Sequence, residues 1–145
     1  MVSVTASLVL LLLLTTLIHY ESLRMLTAGL PRLAIPARRK LVVVILGTFC
    51  AHAAEMFLYA VAFWVLSRYF GAGSLGPTGD APFAASLYFS AETYTSLGYG
   101  DVVPSGDLRL LAGAEALNGL LLIGWSASYI YLSMERLWDE RRRPR

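Results

Sequence analysis

At 145 residues, 57% of them hydrophobic and 15% charged, with a mean hydropathy of +0.59, the chain is too apolar for an ordinary water-soluble domain of its size. Its formal net charge of +2 gives no reason to expect a nucleic-acid partner, and its single cysteine, Cys50, excludes an intrachain disulfide framework. The two histidines, His19 and His52, belong to no ligand motif, so no resident metal, cofactor or enzymatic nucleophile–base pair is expected.

A helix needs about 20 mostly apolar residues to cross a hydrocarbon core of about 30 Å. Three segments qualify in chain order, roughly 4–18, 41–68 and 108–134. The first opens without basic residues and no cleavage site follows it, so a retained helix over 1–22 is expected rather than a removed leader. A basic linker over 23–40 carries Arg24, Arg32, Arg38, Arg39 and Lys40, and a basic tail over 135–145 carries Arg136, Arg141, Arg142, Arg143 and Arg145. Short cytoplasmic loops are enriched in Lys and Arg. Two crossings separate linker and tail, so both are cytoplasmic only if the second span goes out and the third returns. The N-terminus is then outside, in a multi-pass protein of the plasma membrane. Arginines in the tail also suit anionic lipid headgroups.

The stretch from 70 to 107 lies between the second and third spans. It opens with exposed turn chemistry from Gly71 to Asp80. Pro82 suits a first helical turn, with Asp80 favouring that end of the dipole. Phe83, Leu87, Tyr88 and Phe89 then predict an apolar helix over 82–94, too short to cross a bilayer. A half-helix followed by glycine-rich backbone at membrane depth requires burial in protein or a water-filled path beside it. This pattern predicts a pore or a substrate cavity.

The residues after it define which. A potassium ion must exchange its hydration shell for a column of oxygens, and backbone carbonyls aimed at one axis provide such a column. Successive carbonyls of a strand point opposite ways, so alternate residues must turn left-handed, which glycine does at little cost. Gly98 and Gly100 have that alternation, Tyr99 between them carries a ring that braces the column, and Ser96 adds a hydroxyl at the inner end. One chain supplies one wall, so four copies are needed to close the ring.

Thr95-Ser96-Leu97-Gly98-Tyr99-Gly100-Asp101 resembles the potassium-channel signature T-V-G-Y-G-D. Ser90-Ala91-Glu92-Thr93 is similar to the pore-helix end of simple bacterial potassium channels, and Pro104 falls where that family leaves the filter. The resemblance implies an all-α membrane protein with the tetrameric pore fold over 41–134. Its parts would be an outer helix 41–69, pore helix 82–94, selectivity filter 95–101 and inner helix 108–134, with one additional N-terminal transmembrane helix. It further implies potassium bound by carbonyls of Ser96, Leu97, Gly98 and Tyr99 within a filter reaching from Thr95 to Gly100. Glu92 and Asp101 match a carboxylate pair that meets behind the family's filter. The chain departs from the pattern at Ser96, where the family mostly has Thr, and at Leu97, where Val or Ile is usual. A weakly selective cation channel and a non-conducting subunit of a channel complex are therefore alternatives.

Ionisable residues inside a membrane are costly and mark function by default. His52 and Glu55 are three apart on the second span, and Glu115 and Asn118 three apart on the third, so each pair shares a helical face. The first pair reads as a hydrogen-bonded clasp between helices or as a proton sensor. Glu115 is expected against the outer helix or the back of the filter. Gly119 and Gly124 read as hinges or close-packing positions, and the resemblance places Gly124, Trp125 and Ser128 near the face lining a cavity.

Overall fold

The structure is a computed structural model describing residues 2–76 and 81–142, with side chains as far as 138. Four α-helices and one 3-10 turn appear among the described residues: α1 Val2–Gly29, the turn Leu30–Arg32, α2 Ala37–Phe70, α3 Phe83–Tyr94 and α4 Leu108–Arg142. Three of these helices are long and apolar enough to cross a membrane, and α3 is not. Asp80, expected at the start of the half-helix, and the arginine side chains at 141–145 lie outside the described residues.

Each helix boundary has a local cause. Helix α1 continues past the expected end near residue 22 because nothing breaks it before Gly29 and Pro31, so much of the expected linker is helical. Helix α2 starts after Pro36, and its first turn holds Arg38, Arg39 and Lys40. These charges oppose the helix dipole, so their presence there is not explained by helix stability. At the far end, Gly71 turns left-handed (φ 57°) and the Ala72 amide donates back to the Leu66 carbonyl at 3.2 Å, a glycine-capped helix end. Helix α4 runs on through Arg142, beyond the expected end at 134.

The core lies where α1, α2, α3 and α4 meet. Tyr59, Phe63, Phe89, Tyr94, Leu108 and Leu111 are buried together, and Val4 and Leu11 of α1 join them. The Phe63 and Phe89 rings meet edge to face at 5.0 Å, locking α2 to α3. Gly119 is buried where α4 passes the end of α3: an added Cβ would run into the Tyr94 carbonyl oxygen, with the Tyr94 carbonyl carbon at 2.9 Å. Gly124 has open space at the same position of its own backbone.

The segment after α2 was expected to be exposed turn chemistry, but its first part is paired. Residues 72–76 run antiparallel to 103–107, with Ser105 donating to Ser74 O at 2.9 Å, Asp107 to Ala72 O at 2.8 Å and Gly76 to Val103 O at 3.2 Å. Ala72 and Leu75 are buried beneath this clamp. Turn residues marked the bend correctly, but a two-residue bridge between segments some 30 positions apart leaves no local pattern to read.

Candidate functional site

The 95–101 segment leaves the C-terminus of α3 with its backbone turned by three alternate residues. Ser96, Gly98 and Gly100 have φ of 57°, 55° and 82°, all in the left-handed region. Gly98 and Gly100 adopt it freely, whereas Ser96 is the single non-glycine residue with positive φ among the described residues. Four consecutive amides then point the same way. Ser96 donates to Thr93 O at 3.0 Å, Leu97 and Gly98 donate to Glu92 O at 2.8 and 3.3 Å, and Tyr99 donates to a Glu92 carboxylate oxygen at 3.1 Å.

No peptide bond among the described residues is cis, so each amide N–H lies opposite the preceding carbonyl. The carbonyls of Thr95, Ser96, Leu97 and Gly98 are therefore aimed together, away from α3. None of them accepts a hydrogen bond from the described residues. The result is a row of four oxygens on one side of the segment with all their amides held on the other.

Glu92 is nearly fully buried and serves this backbone directly. It does not meet Asp101, as the family pattern implied. Asp101 is instead bonded by the Tyr88 hydroxyl, which lies 3.1 Å from both carboxylate oxygens, so the aromatic residue one turn before Glu92 occupies the role expected of the acid. The side chains of Leu97 and Tyr99 stay 58% and 70% exposed on a single chain, so nothing within one copy holds the segment from its other side.

Behind this segment the structure gathers a buried polar network that the sequence showed only in pieces. Glu55 is fully buried and receives three groups: His19 Nδ1 at 2.9 Å, His52 Nδ1 at 3.2 Å and the Tyr94 hydroxyl. The Tyr94 hydroxyl also lies 2.8 Å from His52 Nδ1. Both histidines turn their Nε2 atoms to one hydroxyl, Ser126 Oγ, at 3.0 and 3.3 Å. His19, read from sequence as belonging to no motif, is thus a full member, brought in by α1. Asn118 joins α4 to α1 and α2 at another level, donating to Thr15 Oγ1 at 2.8 Å and Tyr59 OH at 3.1 Å. Glu115 accepts from Ser90 of α3 at 2.5 Å, and its second oxygen has no partner among the described residues.

The cavity-face expectation needs one correction. Trp125 packs on α1, its ring 5.3 Å from His19 and 6.4 Å from Tyr20. Ser128 is exposed and bonds the Gly124 carbonyl at 3.0 Å, and Cys50 is exposed on α2.

Two long apolar helices enclosing a short helix and an oriented carbonyl row define an ion-channel type of protein. A family model described as "Ion channel" matches residues 40–136, more than half of the chain. The chain belongs to this two-transmembrane-helix ion channel family, which includes the pore-domain type of potassium channel. The match leaves α1 wholly outside it. Searches of curated proteins and of solved structures returned no match.

Proposed function

We propose that the chain is one subunit of a potassium-selective channel in the plasma membrane, a homotetramer that conducts potassium passively through a filter formed by residues 95–101. The observation that carries this reading is the common aim of the carbonyls from Thr95 to Gly98, with every opposing amide bound to the end of α3. Such a row replaces the hydration shell of a cation without a charged side chain, as a weakly hydrated monovalent ion requires. The α3 C-terminus adds partial negative charge that favours a cation below the row. Four copies are needed because one row coordinates an ion from one side only. The exposed Leu97 and Tyr99 side chains are what neighbouring copies would cover.

Orientation follows the charges. Arg38, Arg39 and Lys40 at the start of α2 and Arg136 near the end of α4 belong on the cytoplasmic side, which places the N-terminus outside. The basic tail would then meet anionic lipid.

The test is potassium flux and reversal potential for the purified protein in liposomes, with Gly98→Ala as the variant. At φ 55° an L-side chain costs about 1–2 kcal/mol per chain, and no atom of the same chain lies within 4 Å of the new methyl, so within one copy the cost is conformational. Potassium flux should fall sharply while the protein still folds. Unchanged flux and selectivity in the variant would overturn the assignment. Equal sodium and potassium permeability of the parent chain would instead favour the weakly selective reading, for which the unbranched Ser96 is the specific observation.

A further inference from the structure

The polar network beside the filter has a proton inventory that does not close without an extra cation. Ser126 has one hydroxyl hydrogen, yet both Nε2 atoms converge on its oxygen. At most one histidine can accept there, so at least one carries its proton on Nε2 and donates it to Ser126. A neutral imidazole in that form presents the bare lone pair of Nδ1 inward. Both Nδ1 atoms face the Glu55 carboxylate. The single hydrogen of the Tyr94 hydroxyl can serve His52 Nδ1 or Glu55 but not both, so lone pair meets lone pair in a buried place unless a proton or a metal ion stands between them.

The inward-facing donors form a four-membered set. They come from three helices: His19 Nδ1 lies 2.9 Å from Glu55 Oε1, while His52 Nδ1 lies 3.2 Å from Glu55 Oε2 and 2.8 Å from the Tyr94 hydroxyl. The histidine and carboxylate donor atoms all lie within 4.8 Å of one another. Donors that hold a tetrahedral ion at about 2.0–2.1 Å stand roughly 3.3 Å apart. The Tyr94 hydroxyl and Glu55 stand closer than this and the histidine and carboxylate atoms no more than 4.8 Å apart, so side-chain adjustments of about an ångström bring the set around an ion. With an ion present, both histidines take the same neutral form and both Nε2–H groups donate to the two lone pairs of Ser126 Oγ. This is the outer hydrogen bond that orients metal-ligating histidines. The other buried polar groups nearby are committed elsewhere, Glu115 to Ser90 and Tyr59 to Asn118.

We propose that His19, His52, Glu55 and the Tyr94 hydroxyl form a binding site for one divalent ion of the zinc class per chain, oriented from outside by Ser126. Two imidazoles with one carboxylate and one phenol oxygen suit a borderline ion and not the hard, all-oxygen preference of calcium or magnesium. His52 is 16% exposed, which leaves an approach from the α2 side. The occupied site would staple α1, the helix outside the family match, to the residue that immediately precedes Thr95.

The experiment is cobalt(II) binding to the purified full-length protein in detergent, read by visible absorption and by metal content after gel filtration. Expected is one cobalt per chain with the intense bands of a tetrahedral site, displaced by zinc. His19→Gln and His52→Gln should each weaken binding at least 10-fold, and Ser126→Ala roughly 10- to 100-fold. Glu115→Gln should leave it unchanged. Because the histidine variants could fail to fold, the parent chain is also titrated: occupancy must fall as pH drops, since each ligand nitrogen has to lose its proton. A parent chain without stoichiometric cobalt at neutral pH overturns the proposal and leaves a proton as the bridging cation. Equal binding by the folded histidine variants overturns it as well.

Discussion

Replacing Gly119 by alanine is the sharpest structural test of how α4 is seated. A Cβ at this position meets the Tyr94 backbone and stands 3.0 Å from the Tyr94 ring. The tightest clash is with the Tyr94 carbonyl oxygen, and ordinary contact begins above about 3 Å, so the helices must part by about an ångström. Overpacking of this kind costs about 1–3 kcal/mol. Alanine is also the better helix former, by up to about 1 kcal/mol, which works in the opposite direction. Gly113→Ala on the same helix supplies the control, because nothing lies within 4 Å of its added methyl. Propensity is common to both variants, so the difference between them isolates the contact at about 1–3 kcal/mol. For a chain of this length that amounts to roughly 2–12 °C in melting midpoint. The two proteins would be compared by thermal unfolding in detergent and by potassium flux in liposomes. Gly119→Ala should melt lower and conduct less, since the displaced Tyr94 leads directly into the filter. If the two variants melt and conduct alike, α4 does not rest on the end of α3 as described.

Three further outcomes are expected. Tyr88→Phe and Asp101→Ala each remove the same hydrogen bond, so their effects on flux should be non-additive, with a coupling of about 0.5–3 kcal/mol in a double-mutant cycle; additive effects would show that the pair is not joined. Asn118→Ala leaves Thr15 and Tyr59 without their shared donor and should cost about 1–3 kcal/mol, measured as a lower denaturation midpoint together with faster proteolysis of α1. Glu115→Gln keeps an acceptor for Ser90 and removes a carboxylate whose second oxygen is unpartnered, so stability should stay within about 1 kcal/mol or rise, whereas Ser90→Ala should destabilise.

The backbone of the filter was legible because its signal is compact: glycines two apart, directly after a short helix, leave few chain paths. Its brace was only partly legible. Glu92 stood at the right place, but whether it would reach Asp101 or the Tyr99 amide depends on an aromatic neighbour, and Tyr88 is long enough to take Asp101 for itself. The pairs at 52/55 and 115/118 announced themselves by lying inside apolar runs. Their partners did not, because His19 is 36 residues from Glu55 and 107 from Ser126. Helical periodicity places a residue on a face and says nothing about which helix that face will meet. Trp125 shows the same limit: its position along α4 was readable, but the presence of α1 beside it was not. The longer α1 is a different case, since Gly29 and Pro31 were visible stop signals that the apolar count alone passed over.

The clamp between residues 72–76 and 103–107 ties the end of α2 to the start of α4 before either helix enters the bundle. It makes the outer end of α4 a fixed bearing. The next firm seat is Gly119 on Tyr94, roughly 16 Å further along at 1.5 Å per residue. Beyond that seat α4 stays pinned, by Ser126 to both histidines and by Tyr129 to Thr27 of α1. Any displacement of its far end is therefore shared with α1, the helix outside the family match, which makes α1 a splint for the whole lower half of α4.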